Sequence, residues 1–272
     1  MKKFFIAALS FICVICAGCF QANYDLTITG EGKIFRTWRV MGTAPFSQHI
    51  ADLKAKTEKL FPNVRVKNLV EGDMLGYEFK LEYPDVESFA HSASEFYGRH
   101  GGKNKGISRR AGWFFDEYDF DFYSAYPPAN IPLGATMNQA MFSEVIFDSV
   151  IRLPYSAETT NADEVSEDGR LLKWNLVPLV IHGGERSMQV RFKIWHKEHI
   201  ALTAAAELFL LAAAIFFLAK SQAEGMSGAA KNLRFKRNVF GGLFFALIFI
   251  SAYLIMTPVT MTEADIISAT IP

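Results

Sequence analysis

The sequence predicts an α+β extracytoplasmic domain, rich in β-strands and with two or three helices, followed by a hairpin of two transmembrane helices. Segments of alternating apolar and polar residues recur through the middle of the chain, and segments of helical periodicity separate them. Two long apolar runs lie near the C-terminus. The 272 residues include 28 basic and 28 acidic ones, and this balance gives no reason to expect nucleic acid as a partner.

Residues 1–18 have the pattern of a lipoprotein signal peptide. Two lysines precede the apolar segment 4–15, which is shorter than the roughly 20 residues of a membrane-spanning helix. Cys16-Ala17-Gly18-Cys19 follows and resembles the bacterial lipobox, whose cysteine thiol accepts a diacylglyceryl group before the fatty-acylated residue becomes the N-terminus. Cys19 is therefore the predicted lipidation site. Cys16 stands where a lipobox usually has leucine, and an uncleaved signal anchor is the alternative.

The segment 19–197 is the predicted extracytoplasmic domain, and its first half alternates hairpins with helices. The strand pairs 24–29 with 33–42 and 64–70 with 76–83 show period-two alternation around glycine-containing breaks. Residues 47–61 have helical periodicity, and a second helix follows Asp85, a suitable capping residue. All three cysteines lie before residue 20, so the domain must fold without a disulfide.

The second half of the domain begins with a basic, glycine-containing segment, 99–110, that the sequence predicts as a loop. The next strand, 113–123, places Glu117, Asp119 and Asp121 on one face. Three carboxylates in a row suggest calcium binding or acid–base chemistry, but the spacing of a calcium-binding EF-hand is absent. The favoured interpretation is a solvated acidic face. A short helix at 137–143, an Asp168-Gly169 turn and three more strands complete the predicted domain.

The predicted transmembrane hairpin, 198–257, contains the spans 200–219 and 239–257. Each span is about 30 Å long as a helix, enough to cross the hydrocarbon core. The loop 220–238 is rich in lysine and arginine, whereas the tail 258–272 has acidic residues and no basic one. Short basic loops stay in the cytoplasm, so we expect the loop inside and both the domain and the tail outside.

Glu207 lies within the first span, where a carboxylate costs about 2.5–3.5 kcal/mol on insertion scales. It is a candidate intramembrane contact to a partner protein or an ion path. The favoured alternative is a neutral carboxyl group that bonds to Ser251 or a backbone carbonyl, or that lies near the outer headgroups.

A lipobox cysteine, the opening hairpin YDLTITGEGK and the later hairpin TNADEVSEDGRLLKWNL occur in this order. Together they resemble the LppM-type bacterial lipoproteins over 19–195. The resemblance implies an α+β envelope domain held at the membrane, without established catalytic residues. It also implies a role in binding envelope lipid or glycolipid. This chain departs from the family in ending with two predicted spans where one is usual.

The domain 19–197 lacks the common sequence patterns of serine hydrolases, zinc proteases, dithiol oxidoreductases and dinucleotide-binding enzymes. His196 and His199 have the spacing of a metal-binding pair on a helix, but an interfacial role is the commoner use of such residues. The sequence therefore predicts no enzyme, no catalytic residue, no metal site and no cofactor.

Three functions remain open, and a membrane-anchored binding or interaction module is favoured. The alternative is an accessory subunit of a plasma-membrane complex, in which the hairpin and Glu207 contact other membrane proteins. A second alternative is an envelope hydrolase that uses Glu117, Asp119 and Asp121. In each case we expect a lipid-anchored, multi-pass protein of the plasma membrane whose main domain faces outward.

Overall fold

The computed structural model describes residues 20–96, 106–126, 146–223 and 228–256. The signal peptide, Cys19, the predicted short helix at 137–143 and the tail 258–272 lie outside these residues. The predicted α+β fold is confirmed: the described chain forms two β-sheets, five α-helices and a short 3₁₀ turn, Ala44–Phe46.

The described strands, numbered in chain order, include long strands and two-residue strands. Strands of five or more residues are β1 Phe20–Ile28, β2 Ile34–Gly42, β3 Arg65–Glu71, β4 Met74–Tyr83, β5 Gly106–Ala111, β6 Phe115–Tyr126, β7 Ile146–Arg152, β10 Leu171–Asn175 and β11 Gly184–Trp195. Two-residue strands are β8 Thr159–Thr160 and β9 Glu164–Val165. The helices are α1 Ser47–Leu60, α2 Val86–Phe96, α3 Val177–His182, α4 Lys197–Ala223 and α5 Gly228–Met256.

The larger sheet has seven strands in the order β3-β4-β2-β1-β7-β10-β9. The predicted hairpins β1–β2 and β3–β4 are both present, and β2 pairs with β4 to join them. The central pair β1–β7 is parallel, while the pairs β1–β2, β2–β4, β3–β4, β7–β10 and β9–β10 are antiparallel. The second sheet has four strands in the order β5-β6-β11-β8.

One face of the larger sheet forms the main core. Trp38 of β2 stands opposite Phe79 of β4, and their rings stack with centroids 5.2 Å apart. Ile50 of α1 and Phe89 of α2 are also buried. The second helix begins as predicted, because the Asp85 carboxylate accepts a hydrogen bond from the Ser88 backbone N–H at 2.7 Å.

Arg36 is fully buried on the same face of β2. Its guanidinium carbon lies 4.7 Å from the Trp38 ring centroid, 5.2 Å from that of Phe61 and 5.6 Å from that of Tyr24. One guanidinium N–H donates to the Tyr83 hydroxyl at 3.4 Å. Aromatic ring faces therefore stabilise this charge where bulk water has no access.

Contacts divide the described chain into two compact units. The first contains 20–96, 106–108, 119–126 and 146–192, and the second contains 109–118, 193–223 and 228–256. Within the second unit, α4 and α5 pack antiparallel: Phe217 stacks on Phe240 at 5.4 Å, and Glu207 meets Ser251. Both helices are long and apolar enough to cross a membrane.

Several elements differ from the sequence-based prediction. Part of the predicted basic loop 99–110 is strand β5, because its Arg109 and Arg110 pair with carboxylates of the next strand. Helix α3 was not predicted, since its six residues are too few to show a helical repeat. Helix α4 extends beyond both ends of the predicted span 200–219, and helix α5 begins before the predicted span 239–257.

Candidate functional site

The two site residues that the sequence predicts lie in different parts of the chain. Cys19, the predicted lipidation site, directly precedes β1 and lies outside the described residues. Glu207 lies in α4 and is half-buried. Its Oε1 accepts a hydrogen bond from the Ser251 hydroxyl of α5 at 3.1 Å. A contact between Glu207 and a separate protein stays a prediction.

Two acidic residues of the predicted row on β6, Glu117 and Asp119, are held by basic residues of neighbouring strands. Glu117 accepts a hydrogen bond from Arg110 at 3.1 Å, and Asp119 accepts one from Arg191 at 2.7 Å. Glu117 is only 7 % exposed. The predicted solvated face is therefore wrong at this residue, because the paired arginine allows the carboxylate to be buried.

Asp121, the last carboxylate of this row, accepts hydrogen bonds from two residues of β11. One donor is the Ser187 hydroxyl, and the other is the Gln189 side-chain amide at 3.1 Å. These contacts direct the carboxylate across the sheet. The row of acids therefore serves to join strands, and its hydrogen bonds orient the carboxylates toward protein donors.

His196 and His199 converge on the turn between β5 and β6. The Nδ1 atoms of His196 and His199 lie 3.2 and 2.7 Å from the Trp113 backbone oxygen. A carbonyl oxygen only accepts, so each Nδ1 carries the hydrogen. Within the described ranges, no group of three or more His, Cys, Asp and Glu side chains is arranged to hold a metal ion.

Asp116 joins this turn to the start of α4. Its Oδ2 accepts from the Arg109 guanidinium at 2.7 Å and lies 3.3 Å from His196 Nε2. The His196 backbone N–H donates to the Phe114 carbonyl at 2.8 Å. Backbone and side-chain bonds therefore fix the first residues of the helix to the hairpin, all within the second unit.

Trp113 itself lies along the first turns of α4. Its ring stacks on His199 with centroids 4.4 Å apart and planes 15° apart. Its indole N–H donates to the Thr203 hydroxyl at 3.3 Å. The residue nevertheless stays 45 % exposed. Sequence reasoning missed this cluster because Trp113 and the helix are far apart in the chain.

A shallow groove of about 190 Å³ lies on the first unit, next to the start of β1. It combines polar side chains with the apolar ones that a lipid would contact. The lining residues are Gln21, Asn23, Arg39, Met41, Leu69, Val70 and Glu71. The groove draws on β1, β2 and β3, and the period-two spacing of each strand was its only signal in the sequence.

Glu78 of β4 lies beside the groove residue Arg39. Its carboxylate accepts from Arg39 Nε at 2.6 Å and lies 3.1 Å from Lys80 Nζ. Burial favours the neutral acid, but the hydrogen bonds and charges of Lys80 and Arg39 outweigh it and lower the pKa of Glu78. An ionised carboxylate therefore holds Arg39 in place on the groove wall.

Two further ion pairs order the strands and loops around β10. A hydrogen bond from Arg186 lowers the pKa of Asp163, and the pair is 2.6 Å apart. A hydrogen bond to Asp148 raises the pKa of Lys173, with Nζ 3.2 Å from Oδ2. Both shifts favour the charged forms and thereby stabilise the surface around the strand.

No family model and no curated protein sequence matches this chain. A solved structure to which it is similar is the NMR structure of the folded domain of the LppM protein of Mycobacterium tuberculosis. The match has a TM-score of 0.39 and 11% sequence identity, and it covers 66% of this chain and 93% of the LppM domain. A TM-score this low carries no argument about function.

Proposed function

We propose that this protein is a bacterial envelope lipoprotein of the plasma membrane whose extracytoplasmic α+β domain binds envelope lipid or glycolipid. Cys19 and the helices α4 and α5 are its membrane attachments. The observation that carries the proposal is the apolar surface of this helix pair. Large side chains such as Phe209 and Phe249 are 68 % and 74 % exposed although the two helices pack together. Only lipid or further protein would cover them.

The charge around the connection between the helices supports an outward-facing domain. Lys220 ends the apolar part of α4, and Lys231, Arg234 and Lys236 precede the apolar part of α5. All four are exposed. Basic residues beside short loops favour the cytoplasmic side, so both ends of the hairpin belong outside.

The groove beside β1 supports binding as the domain's role. Asn23 and Arg39 offer hydrogen bonds, while Met41, Leu69 and Val70 offer apolar surface. This combination suits an amphipathic ligand that presents a polar headgroup next to hydrocarbon. The acids of β6, in contrast, are held by neighbouring strands and give no support to a hydrolase.

Lipidation and topology are tested together on the full chain in its host cell. We expect radiolabelled fatty acid to enter the wild-type protein but not Cys19→Ala, and both proteins to stay with the membrane because the helices remain. Protease added to intact spheroplasts should digest the domain. Undiminished labelling of Cys19→Ala would contradict lipidation at Cys19. A domain protected from protease would contradict the outward-facing topology.

Ligand binding is tested by mass spectrometry of the lipids that the full chain retains after purification in mild detergent. Leu69→Glu places a charge in the groove, and Leu75→Glu is the matched control because Leu75 is 53 % exposed and does not line the groove. We expect wild type and the control to retain one lipid class that Leu69→Glu loses by about ten-fold, as burial of an unpaired charge predicts. Equal retention of the lipid by all three proteins would exclude the groove as its binding site.

The accessory-subunit function keeps one supporting observation, the half-buried Glu207 in the helix pair. A photo-crosslinking residue at Leu208, which is 66 % exposed beside it, would capture a partner helix in living cells. The same residue at Phe216 tests whether capture is specific to the level of Glu207. Crosslinks of equal yield at both sites would count against a defined contact.

A further inference from the structure

Trp113 occupies the level at which helix α4 leaves polar surroundings. The helix begins at Lys197, and Lys197 and Glu198 are exposed. Leu202, one turn later, is a 62 % exposed apolar residue. A membrane that contains α4 must therefore change from headgroups to hydrocarbon between these residues, which is where Trp113 contacts His199 and Thr203.

The helix geometry gives the depth of this contact. Thr203 lies about 9 Å along the axis from the first residue of α4, at 1.5 Å per residue. The interfacial layer of a bilayer is several ångströms thick on each side of the hydrocarbon. An indole that donates to Thr203 thus lies at the boundary between headgroups and acyl chains, where tryptophan is enriched in membrane proteins.

The exposed surface of Trp113 is better suited to the membrane interface than to bulk water. One face of the ring is covered by His199, and the N–H is satisfied by Thr203, yet 45 % of the residue remains open. The open part is aromatic surface beside an apolar helix. An amphipathic ring with its polar atom satisfied and its remaining surface uncovered gains free energy by entering the interfacial layer.

Hydrogen bonds fix the β5–β6 turn to the start of α4, so the turn keeps its position along the helix axis. The Trp113 carbonyl accepts from both histidine rings, and the Phe114 carbonyl accepts from the His196 backbone N–H. Asp116 adds a contact to His196 from the following strand. All these residues belong to the second unit, so the arrangement moves with α4.

We propose that the β5–β6 turn is a membrane-contacting surface whose Trp113 side chain inserts among the phospholipid headgroups of the leaflet in which α4 begins. The partner is the bilayer interface itself. The proposal rests on the proposed function in one respect, the insertion of α4 into a membrane. It adds a second attachment, made by the hairpin rather than by the helices or Cys19.

The test uses tryptophan fluorescence of the full chain in vesicles of phosphatidylcholine brominated either near the headgroup or near the acyl-chain end. The chain has four tryptophans, and Trp38 and Trp174 are buried in the first unit. We expect shallow bromine to quench wild-type emission, and Trp113→Phe to lower that quenching by about two-fold or more. Trp195→Phe, which retains Trp113, should keep the shallow quenching, and its loss in this variant would assign the quenching to Trp195 and overturn the proposal.

A tryptophan placed deep in α4 distinguishes failure of this proposal from failure of the proposed membrane insertion of α4. Leu211→Trp in the Trp113→Phe chain places an indole near the middle of the predicted span 200–219. Quenching of this reporter by deep bromine, together with unchanged shallow quenching in Trp113→Phe, would overturn the turn's membrane contact and leave the proposed function standing. A deep reporter quenched by neither lipid would show that α4 is outside the bilayer and would overturn both.

Discussion

The Ser251 hydroxyl of α5 donates a hydrogen bond to the Glu207 carboxyl group of α4, with Oγ and Oε1 3.1 Å apart. The bond joins the two apolar helices far from their connection. In hydrocarbon a polar group without a partner is costly, so an acid and a hydroxyl at the same level stabilise the packed hairpin. The pair therefore explains how a carboxyl group can lie within an apolar helix.

We expect Ser251→Ala to lower the free energy of unfolding of the helix hairpin by about 0.6 kcal/mol, the average for such bonds between membrane helices. Glu207→Gln should stay close to wild type, because its amide oxygen still accepts from Ser251. The measurement is unfolding of the full chain in mixed micelles with increasing SDS. Ser221→Ala is the matched control, since the Ser221 hydroxyl donates within its own helix, to the Leu218 carbonyl. A loss in the control as large as in Ser251→Ala would contradict the interhelical role.

Gly76 permits the close approach of β2 and β4. A Cβ at this residue would lie 2.0 Å from the Val40 carbonyl oxygen and 2.7 Å from the Met41 Cα. We expect Gly76→Ala to lower the free energy of unfolding by more than about 3 kcal/mol, because the clash is with backbone that cannot move without breaking the sheet. Urea denaturation of the full chain in mild detergent measures this loss.

Gly72→Ala is the control for that prediction. Gly72 lies in the β3–β4 turn with φ +62° and open space around it. Alanine there makes no clash and costs only the strain of a left-handed backbone conformation, about 1–2 kcal/mol. If the two variants lose equal stability, close strand approach is not what requires glycine at residue 76.

Local patterns in the sequence predicted the hairpins β1–β2 and β3–β4 and the cap at Asp85, because alternation, turn residues and caps act over a few residues. The parallel pairing of β1 with β7 could not be predicted in the same way. It joins segments more than a hundred residues apart, such as Asn23 and Asp148, and no local pattern specifies that register.

The features of the candidate sites were missed for the same physical reason. Arg109 and Arg110 suggest a loop by their charge, and only the neighbouring strand reveals the carboxylates that allow them to lie in a sheet. Trp113 is unremarkable in the sequence, and its position beside His199 depends on how β6 and the start of α4 meet. Glu207 was the exception, since a carboxylate in an apolar run is visible without a structure.

The acid sensitivity of the domain should depend on Glu78. Its pKa in the folded chain lies below the ordinary value of 4.5, so the stabilisation is complete above that value and is lost as the pH falls through the lower, folded-state pKa. We expect Glu78→Gln to lower the free energy of unfolding by about 1–3 kcal/mol at neutral pH, as for hydrogen bonds to charged groups. The gap between wild type and variant should close in acid.

Urea denaturation at a series of pH values measures that gap. Glu82→Gln, on the same strand, removes an exposed pair with Arg65 and should cost less than about 1 kcal/mol. A difference between wild type and Glu78→Gln that is constant from neutral to strongly acidic pH would show that the charge of Glu78 contributes nothing.

Asn161, the residue after β8, connects β10 and β11 through hydrogen bonds that include one to the buried indole of Trp174. Its Oδ1 accepts from Trp174 Nε1 at 3.0 Å and from the Gln189 backbone N–H at 2.8 Å, and its Nδ2 donates to the Ser187 carbonyl at 2.7 Å. Trp174 is fully buried. Asn161→Ala therefore leaves a buried indole N–H without its acceptor, and we expect it to cost about 1–3 kcal/mol.

A double-mutant cycle isolates the contribution of the hydrogen bond between Trp174 and Asn161. Trp174→Phe removes the donor, so the double variant should lose about 1 kcal/mol less than the sum of the two single losses. Asn161→Asp keeps an acceptor for Trp174 and Gln189 and gives up only the donor to Ser187, so it should lie between wild type and Asn161→Ala. Urea denaturation of the full chain in mild detergent supplies all five values. Strict additivity in the cycle would mean that Trp174 is stabilised by packing alone and that Asn161 acts through the backbone groups of β11.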